Sequence, residues 1–171
     1  MSEVESQNAH LESLREALWS GELSKQWKAL SALVAIGTPE AAEMIAAVIR
    51  DGDETTAARA ANLAKRNNFQ EAVPAAIERL QQLSPDANPT HTSLMLHVLA
   101  MSPEPTAMPV LTRYVAHPNR HVRLAAARGL AVIGTAEARG AVAEAATGLS
   151  RFSAWRLTRR FEQWSRRAGT A

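Results

Sequence analysis

Cysteine is absent, which removes disulfides, thiolate metal ligands and thiol nucleophiles together and fits a reducing compartment. Aromatic residues are scarce, at 5% of a 171-residue chain that is 46% hydrophobic, so a core has to be built mainly from Ala and Leu. No apolar run reaches the roughly 20 residues needed to span a bilayer. The first eight residues are polar and carry Glu3 and Glu5, the opposite of the basic start and apolar stretch of a signal peptide. Strand-like alternation of β-branched residues is also missing, and the eight Gly and eight Pro fall mostly between apolar runs, so helix is favoured throughout. The expectation is a soluble, cytoplasmic, all-α chain with one domain over residues 9–167, a disordered tail over 1–8 and a short tail over 168–171.

Charge is present but unevenly spread. The net charge is +2, yet residues 1–60 sum to −5, residues 61–112 to −1 and residues 113–171 to +8, the last from eleven arginines against Glu137, Glu144 and Glu162. In a linear stack this becomes a dipole along the long axis, negative at the N-terminal end. Such ends also permit head-to-tail self-association.

Four inter-helix turns can be superposed, beginning at Ile36-Gly37-Thr38-Pro39, Asn67-Asn68-Phe69-Gln70, Ser102-Pro103-Glu104-Pro105 and Ile133-Gly134-Thr135-Ala136. Each leads to a matched alanine: Ala41, Ala72, Ala107 and Ala138, spaced by 31, 35 and 31 residues. The longer middle unit places a four-residue insertion in the loop Ser84 to Pro89, because insertions in stacked repeats fall in loops. Pro74 and Pro109 each stand two residues after a matched alanine, in the first turn of a helix, where a missing N–H has no helical acceptor to lose. Gly37 and Gly134 suit left-handed C-caps, with Thr38 and Thr135 capping the next helices. The map is ten helices, near 9–20, 25–36, 40–50, 54–66, 71–83, 90–101, 106–116, 120–133, 136–148 and 151–167. Leu11, Leu14 and Leu18, then Trp27, Leu30 and Val34, give the first pair its apolar faces, and Trp19 and Trp27 read most simply as core or capping residues there. The helix from His91 to Met101 is apolar almost all round.

The segment His121-Val122-Arg123-Leu124-Ala125-Ala126-Ala127-Arg128-Gly129-Leu130-Ala131-Val132-Ile133-Gly134-Thr135 resembles the bacterial HEAT-like repeat first associated with phycobilisome lyases. Ala72-Val73-Pro74 and Ala107-Met108-Pro109 resemble the start of that repeat's first helix. The resemblance is strong over about 105–148, recognisable over 29–80 and weak at both ends. It implies a right-handed α-α superhelix, a HEAT-like solenoid of about five antiparallel helix pairs, and a surface that holds proteins or nucleic acids. It also implies that Arg123, the arginine after the valine, is structural and bonds to turn groups of a neighbouring unit. A helper that attaches or handles a tetrapyrrole is a further implication of the family name alone.

Catalytic patterns are thin. His117 and His121 share an H-x3-H spacing, but Pro118 and Asn119 intervene and no acid stands beside them, so they read as turn histidines rather than metal ligands. Asp51, Asp53 and Glu54 sit at a helix start, where capping and the helix dipole explain them. The His-Glu pairs of HEAT-type iron hydroxylases and the Trp-Asp pair of HEAT-type DNA glycosylases have no counterpart here. No catalytic residue, metal ligand or cofactor is expected.

The last helix is different. At 100° per residue, Ala154, Leu157, Phe161 and Trp164 share one side and can cover the end of the stack. Arg156, Arg159, Arg160, Arg166 and Arg167 lie opposite, with Phe152 and Trp155 at the edge. Arginine beside exposed aromatics is the composition of interface hot spots and of phosphate or base-stacking surfaces, although a solvated terminal cap would also be arginine-rich. The candidate partner-binding residues are therefore Phe152, Trp155, Arg156, Arg159, Arg160 and, on an earlier helix, Arg128. The function expected is a non-catalytic protein-binding module, an adaptor, assembly factor or regulatory subunit, working through its concave face or this basic helix. Nucleic-acid binding by the arginine-rich C-terminal third is the alternative, opposed by the acidic N-terminal half and the shortage of lysine.

Overall fold

The computed structural model describes residues 3–84 and 87–169. These form ten α-helices: α1 (Glu3–Leu18), α2 (Leu23–Ile36), α3 (Pro39–Asp51), α4 (Glu54–Asn67), α5 (Ala72–Gln82), α6 (Pro89–Leu99), α7 (Met108–Val115), α8 (Arg120–Ile133), α9 (Ala136–Thr147) and α10 (Arg151–Ala168), with a 3₁₀ turn over Pro105–Ala107. There is no strand among the described residues. Consecutive helices pair as α1/α2, α3/α4, α5/α6, α7/α8 and α9/α10, and each pair leans on the next. The result is a two-layer helical solenoid, with α1, α3, α5, α7 and α9 in an odd layer and α2, α4, α6, α8 and α10 in an even layer.

Local sequence sets the helix ends. Thr38, Asp53, Asn88, Asn119, Thr135 and Ser150 each stand just before a helix and accept a backbone N–H of its first turn, satisfying donors that have no helical partner. Gly37, at φ 66°, and Gly134, at φ 71°, close α2 and α8 in the left-handed conformation, as their positions predict. Asn68 does the same for α4 at φ 57°.

Two boundaries differ from expectation. Helix α1 starts at Glu3 and so reaches into the stretch expected as a tail; Glu5 in its first turn complements the positive end of the helix dipole. Residues 1, 2, 170 and 171, and Pro85 and Asp86 of the expected insertion, lie outside the described residues. The helix expected over 106–116 splits into the 3₁₀ turn and the short α7. Pro109 has no N–H to give to the carbonyl of Pro105, so Met108 donates to it instead and the first turn winds three residues per turn rather than 3.6.

The core follows the repeat. The matched residues Ala41, Ala72, Ala107 and Ala138 are all fully buried. Alanines dominate the buried face of α4 (Ala57, Ala58, Ala60, Ala61, Ala64) and of α8 (Ala125, Ala126, Ala127, Ala131), between larger plugs such as Leu96, Leu99, Leu111 and Leu130. Small side chains let helix axes approach closely. Gly129 takes this furthest: a Cβ there would stand 2.7 Å from Leu111 Cδ2. From α5 onward the even helices lie against one another more extensively than the odd ones.

Bonds between repeats are few and specific. In the even layer, buried Thr56 donates its hydroxyl to buried Gln26 Oε1 at 2.8 Å, joining α4 to α2. In the odd layer, Arg79 donates to the carbonyl of Arg50 at 3.0 Å, Arg113 to that of Leu83 at 3.3 Å, and the Tyr114 hydroxyl to that of Leu80 at 3.2 Å. These acceptors lie at or near helix C-termini, whose last carbonyls lack helical donors and carry the negative end of the dipole.

A basic even-layer face as the candidate functional site

Charged residues are divided between the two layers as well as along the chain. The even helices carry fourteen Lys and Arg against two acids, Glu54 and Glu162. The described side chains of the odd helices include five Arg against nine acids. The acidic residues of the N-terminal half therefore lie largely on the odd helices or in turns, and even α2 and α4 are basic. The polarity runs across the stack as well as along it.

The two sets of cations are also used differently. Arg15, Arg50, Arg79, Arg113 and Arg139 of the odd layer all have a carboxylate or a backbone carbonyl as partner. In the even layer Lys25 pairs with Glu22 at 2.7 Å, and no other Lys or Arg of that layer has a carboxylate within ion-pair distance among the described residues. Arg123 is the structural exception, donating to the carbonyls of His117 and Pro118 at 2.8 and 2.9 Å. It holds the turn between α7 and α8 of its own pair, not a turn of a neighbouring unit. Burial, then the adjacent Arg120 charge, lowers its pKa.

The candidate residues on α10 divide into two groups. Phe152 and Trp155 are 66% and 53% exposed and stack on each other with centroids 6.0 Å apart. Arg156 sits 5.8 Å over the Phe152 ring and Arg159 5.0 Å over the Trp155 ring. Neither aromatic packs into the stack. Leu157 and Phe161, on the other side of the helix, are buried as its periodicity predicts, and Trp164 packs against the core while half-buried.

Arg156 and Arg160 also face a second set of residues. With Arg128 and Arg120 of α8 they line a cleft of about 210 Å³, completed by His121 and Leu124 of α8, Ser93 and His97 of α6, and Trp164. No carboxylate lines it. The structure thus brings Arg128, Arg156 and Arg160 together, whereas Phe152 and Trp155 lie outside this cleft. Sequence reading missed Arg120, His121, Ser93 and His97, which reach the cleft only because α6, α8 and α10 are neighbours in one layer.

His97 reports the electrostatics of the cleft. Burial first, and then the charges of Lys65 on α4 and Arg128 on α8, push its pKa down from 6.5 to about 4. Its Nδ1 is buried and has no hydrogen-bond partner. The ring is therefore neutral at pH 7, held in a positive potential that no nearby carboxylate relieves. A larger cleft, about 390 Å³ between α9 and α10, has a mixed rim that includes Arg139, Glu162 and Arg166 and shows no such convergence of one charge.

Trp27 departs from expectation too. It is 37% exposed, not core, and lies under the guanidinium of Arg59, which sits 4.5 Å above its ring. Trp19, in the turn between α1 and α2, is 49% exposed. The i, i+3, i+7 spacing put Trp27 on the apolar face, but it stands at the edge of that face, where a cation from the next repeat covers it.

Residues 73–151 match the HEAT-repeat family. The matched HEAT region runs from the first turn of α5 to the first residue of α10 and supplies two walls of the cleft, α6 and α8. The third wall, α10, lies almost wholly beyond it. HEAT repeats commonly mediate protein interactions. A search of curated proteins finds no match to the chain. No helix among the described residues is long and apolar enough to cross a membrane.

Proposed function

We propose that this protein is a non-catalytic interaction module that grips an acidic protein partner across its even-helix layer. The observation that carries this reading is the division of charge between layers among the described side chains, fourteen cations against two acids on one side and five against nine on the other. Unpaired arginines are costly to crowd together, and a partner of opposite charge removes that cost while gaining bidentate hydrogen bonds. The closer approach of even helices over the later pairs supports the even layer as the inner side of the curve, the side on which solenoids hold ligands. Exposed Phe152 and Trp155 at its C-terminal edge add the aromatic and arginine composition of interface hot spots.

Nucleic-acid binding is the second reading, favoured by the same excess of cations, since the acidic N-terminal half no longer argues against it. One experiment separates the two. The full chain is used for affinity capture from its own cells beside a variant with Lys28→Glu, Arg66→Glu and Arg128→Glu, all exposed even-layer cations, and a control with Glu40→Lys, Glu43→Lys and Glu78→Lys on the odd layer. A protein retained by wild type and control after nuclease treatment, and lost from the even-layer variant, is the expected result. Capture abolished by nuclease would replace this reading with the second. Equal capture by all three chains would sink both.

A further inference from the structure

The clefts at the two ends of the stack mix acids with bases, the N-terminal one setting exposed Trp19 beside Arg15, Glu40 and Glu43. The α6–α8–α10 cleft differs in having one charge, one focus and no internal counter-charge. Arg120, Arg128, Arg156 and Arg160 surround it, and no carboxylate among the described residues pairs with any of the four guanidiniums. Guanidinium forks match the oxygens of phosphate bidentately.

We propose that this cleft receives a phosphate monoester, the phosphorylated side chain of a segment of the acidic protein partner. The inference rests on the interaction-module reading above and names the chemical mark that module selects.

Size and charge select the monoester. About 210 Å³ falls below the roughly 300 Å³ at which pockets begin to enclose whole small molecules, so the cleft takes a group rather than a nucleotide. A phosphorylated hydroxyl carries about −1.5 to −2 charges on three terminal oxygens, the concentration of charge that four converging arginines demand. A phosphodiester strand spreads one charge per residue and adds bases that need open aromatic faces. The aromatic that lines this cleft, Trp164, is half-buried and packed against the core, and Phe152 and Trp155 lie outside it.

His97 makes the proposal readable. A dianion in the cleft introduces the negative charge that its surroundings lack, among Lys65 of α4, Arg120, His121 and Arg128 of α8, and Arg156 and Arg160 of α10. Anion binding and protonation of His97 are then linked, each favouring the other.

The test uses the full chain at constant ionic strength. The His97 ring is followed by NMR through a pH titration with and without inorganic phosphate. Affinities are measured for an acidic peptide containing phosphoserine, for the same peptide with serine, and for a ten-residue oligodeoxythymidylate. The expected results are an upward shift of the His97 pKa by about one unit with phosphate, and at least tenfold tighter binding of the phosphopeptide than of its serine form. Both effects should vanish in Arg156→Gln/Arg160→Gln. Arg128→Met, at an exposed position, should reduce both, with circular dichroism unchanged as the check on folding. Phosphorylated and unphosphorylated peptides binding within twofold of each other, or a His97 pKa unmoved by phosphate, would overturn the proposal while leaving an acidic partner intact. Oligodeoxythymidylate binding more tightly than the phosphopeptide would overturn it in favour of a nucleic acid. A monoester site that persists when nuclease-resistant protein capture fails would instead remove the module reading alone.

Discussion

The odd and even layers are built from the same helix pairs and the same alanine-rich contacts, yet their arginines are spent on different tasks. In the odd layer Arg79 and Arg113 reach back about thirty residues to carbonyls of the preceding repeat, so their charge is consumed in holding register. In the even layer Arg120, Arg128, Arg156 and Arg160 have no carboxylate partner among the described residues and converge on one cleft. The layers teach that arginine content says little about function until each guanidinium has been traced to a partner. A tied arginine is part of the fold, and an untied group of them is a surface waiting for charge.

Two arginines on one helix put that comparison to its hardest test. Arg123 is buried and bonds two turn carbonyls, while Arg128 is exposed. Arg123→Met should cost about 2–3 kcal/mol, the scale for losing charge-assisted hydrogen bonds and stranding their acceptors. Arg128→Met should stay within about 0.5 kcal/mol. Urea denaturation of both variants decides this, and equal losses would erase the distinction between tied and untied arginines.

A somewhat smaller effect concerns His97. Its folded pKa of about 4 lies below the ordinary 6.5, so between those values the unfolded chain binds more protons and stability rises with pH. Acidification from pH 6.5 to 4 should therefore cost on the order of 2 kcal/mol through this residue, allowing for its partial exposure. His97→Gln should flatten that part of the stability curve, measured by thermal melts across the range. An unchanged slope would mean that the positive potential in the cleft is screened by solvent.

The odd-layer ties are smaller still. Arg79→Met and Arg113→Met should each lower stability by about 1 kcal/mol and leave partner capture unchanged, a result that stability and binding assays on the same samples can check. Least of all, Gly129→Ala sets overpacking against Leu111 against the better helix propensity of Ala. Because Leu111 is fully buried, the balance should be a net loss of about 1 kcal/mol or less, read as a lower denaturation midpoint with an unchanged m-value.

Much of the fold was legible because the repeat writes the same physical demand several times. A matched alanine, a cap and a proline at fixed offsets located the four turns, and Ala41, Ala72, Ala107 and Ala138 are indeed buried. The split at Pro105 to Val115 was harder, since it depends on which carbonyl Pro109 leaves without its donor. The basic side of α10 was also legible, as one helix carries it. The cleft was not, because α6, α8 and α10 each contribute only a few residues from segments roughly thirty residues apart. His97 was hidden within a helix that reads as apolar all round, and Trp27 was assigned inward because periodicity does not show that Arg59 covers it. A signal did exist: charge summed over alternate helices, instead of over thirds of the chain, separates the layers from sequence alone.

The seam between α5 and α7 carries a mechanical consequence. Contact between odd helices is thinner there than at the α3–α5 or α7–α9 seams, and Tyr114 to Leu80 and Arg113 to Leu83 are side-chain bonds that cross it. The even helices α6 and α8 directly opposite are in broad contact. A stack stiff on one side and lightly stitched on the other bends like a bound book, with α6 and α8 as the spine and the odd layer as the fore-edge. Bending that opens the odd layer at this seam stretches those two hydrogen bonds and changes the angle between successive repeats on each side of the spine.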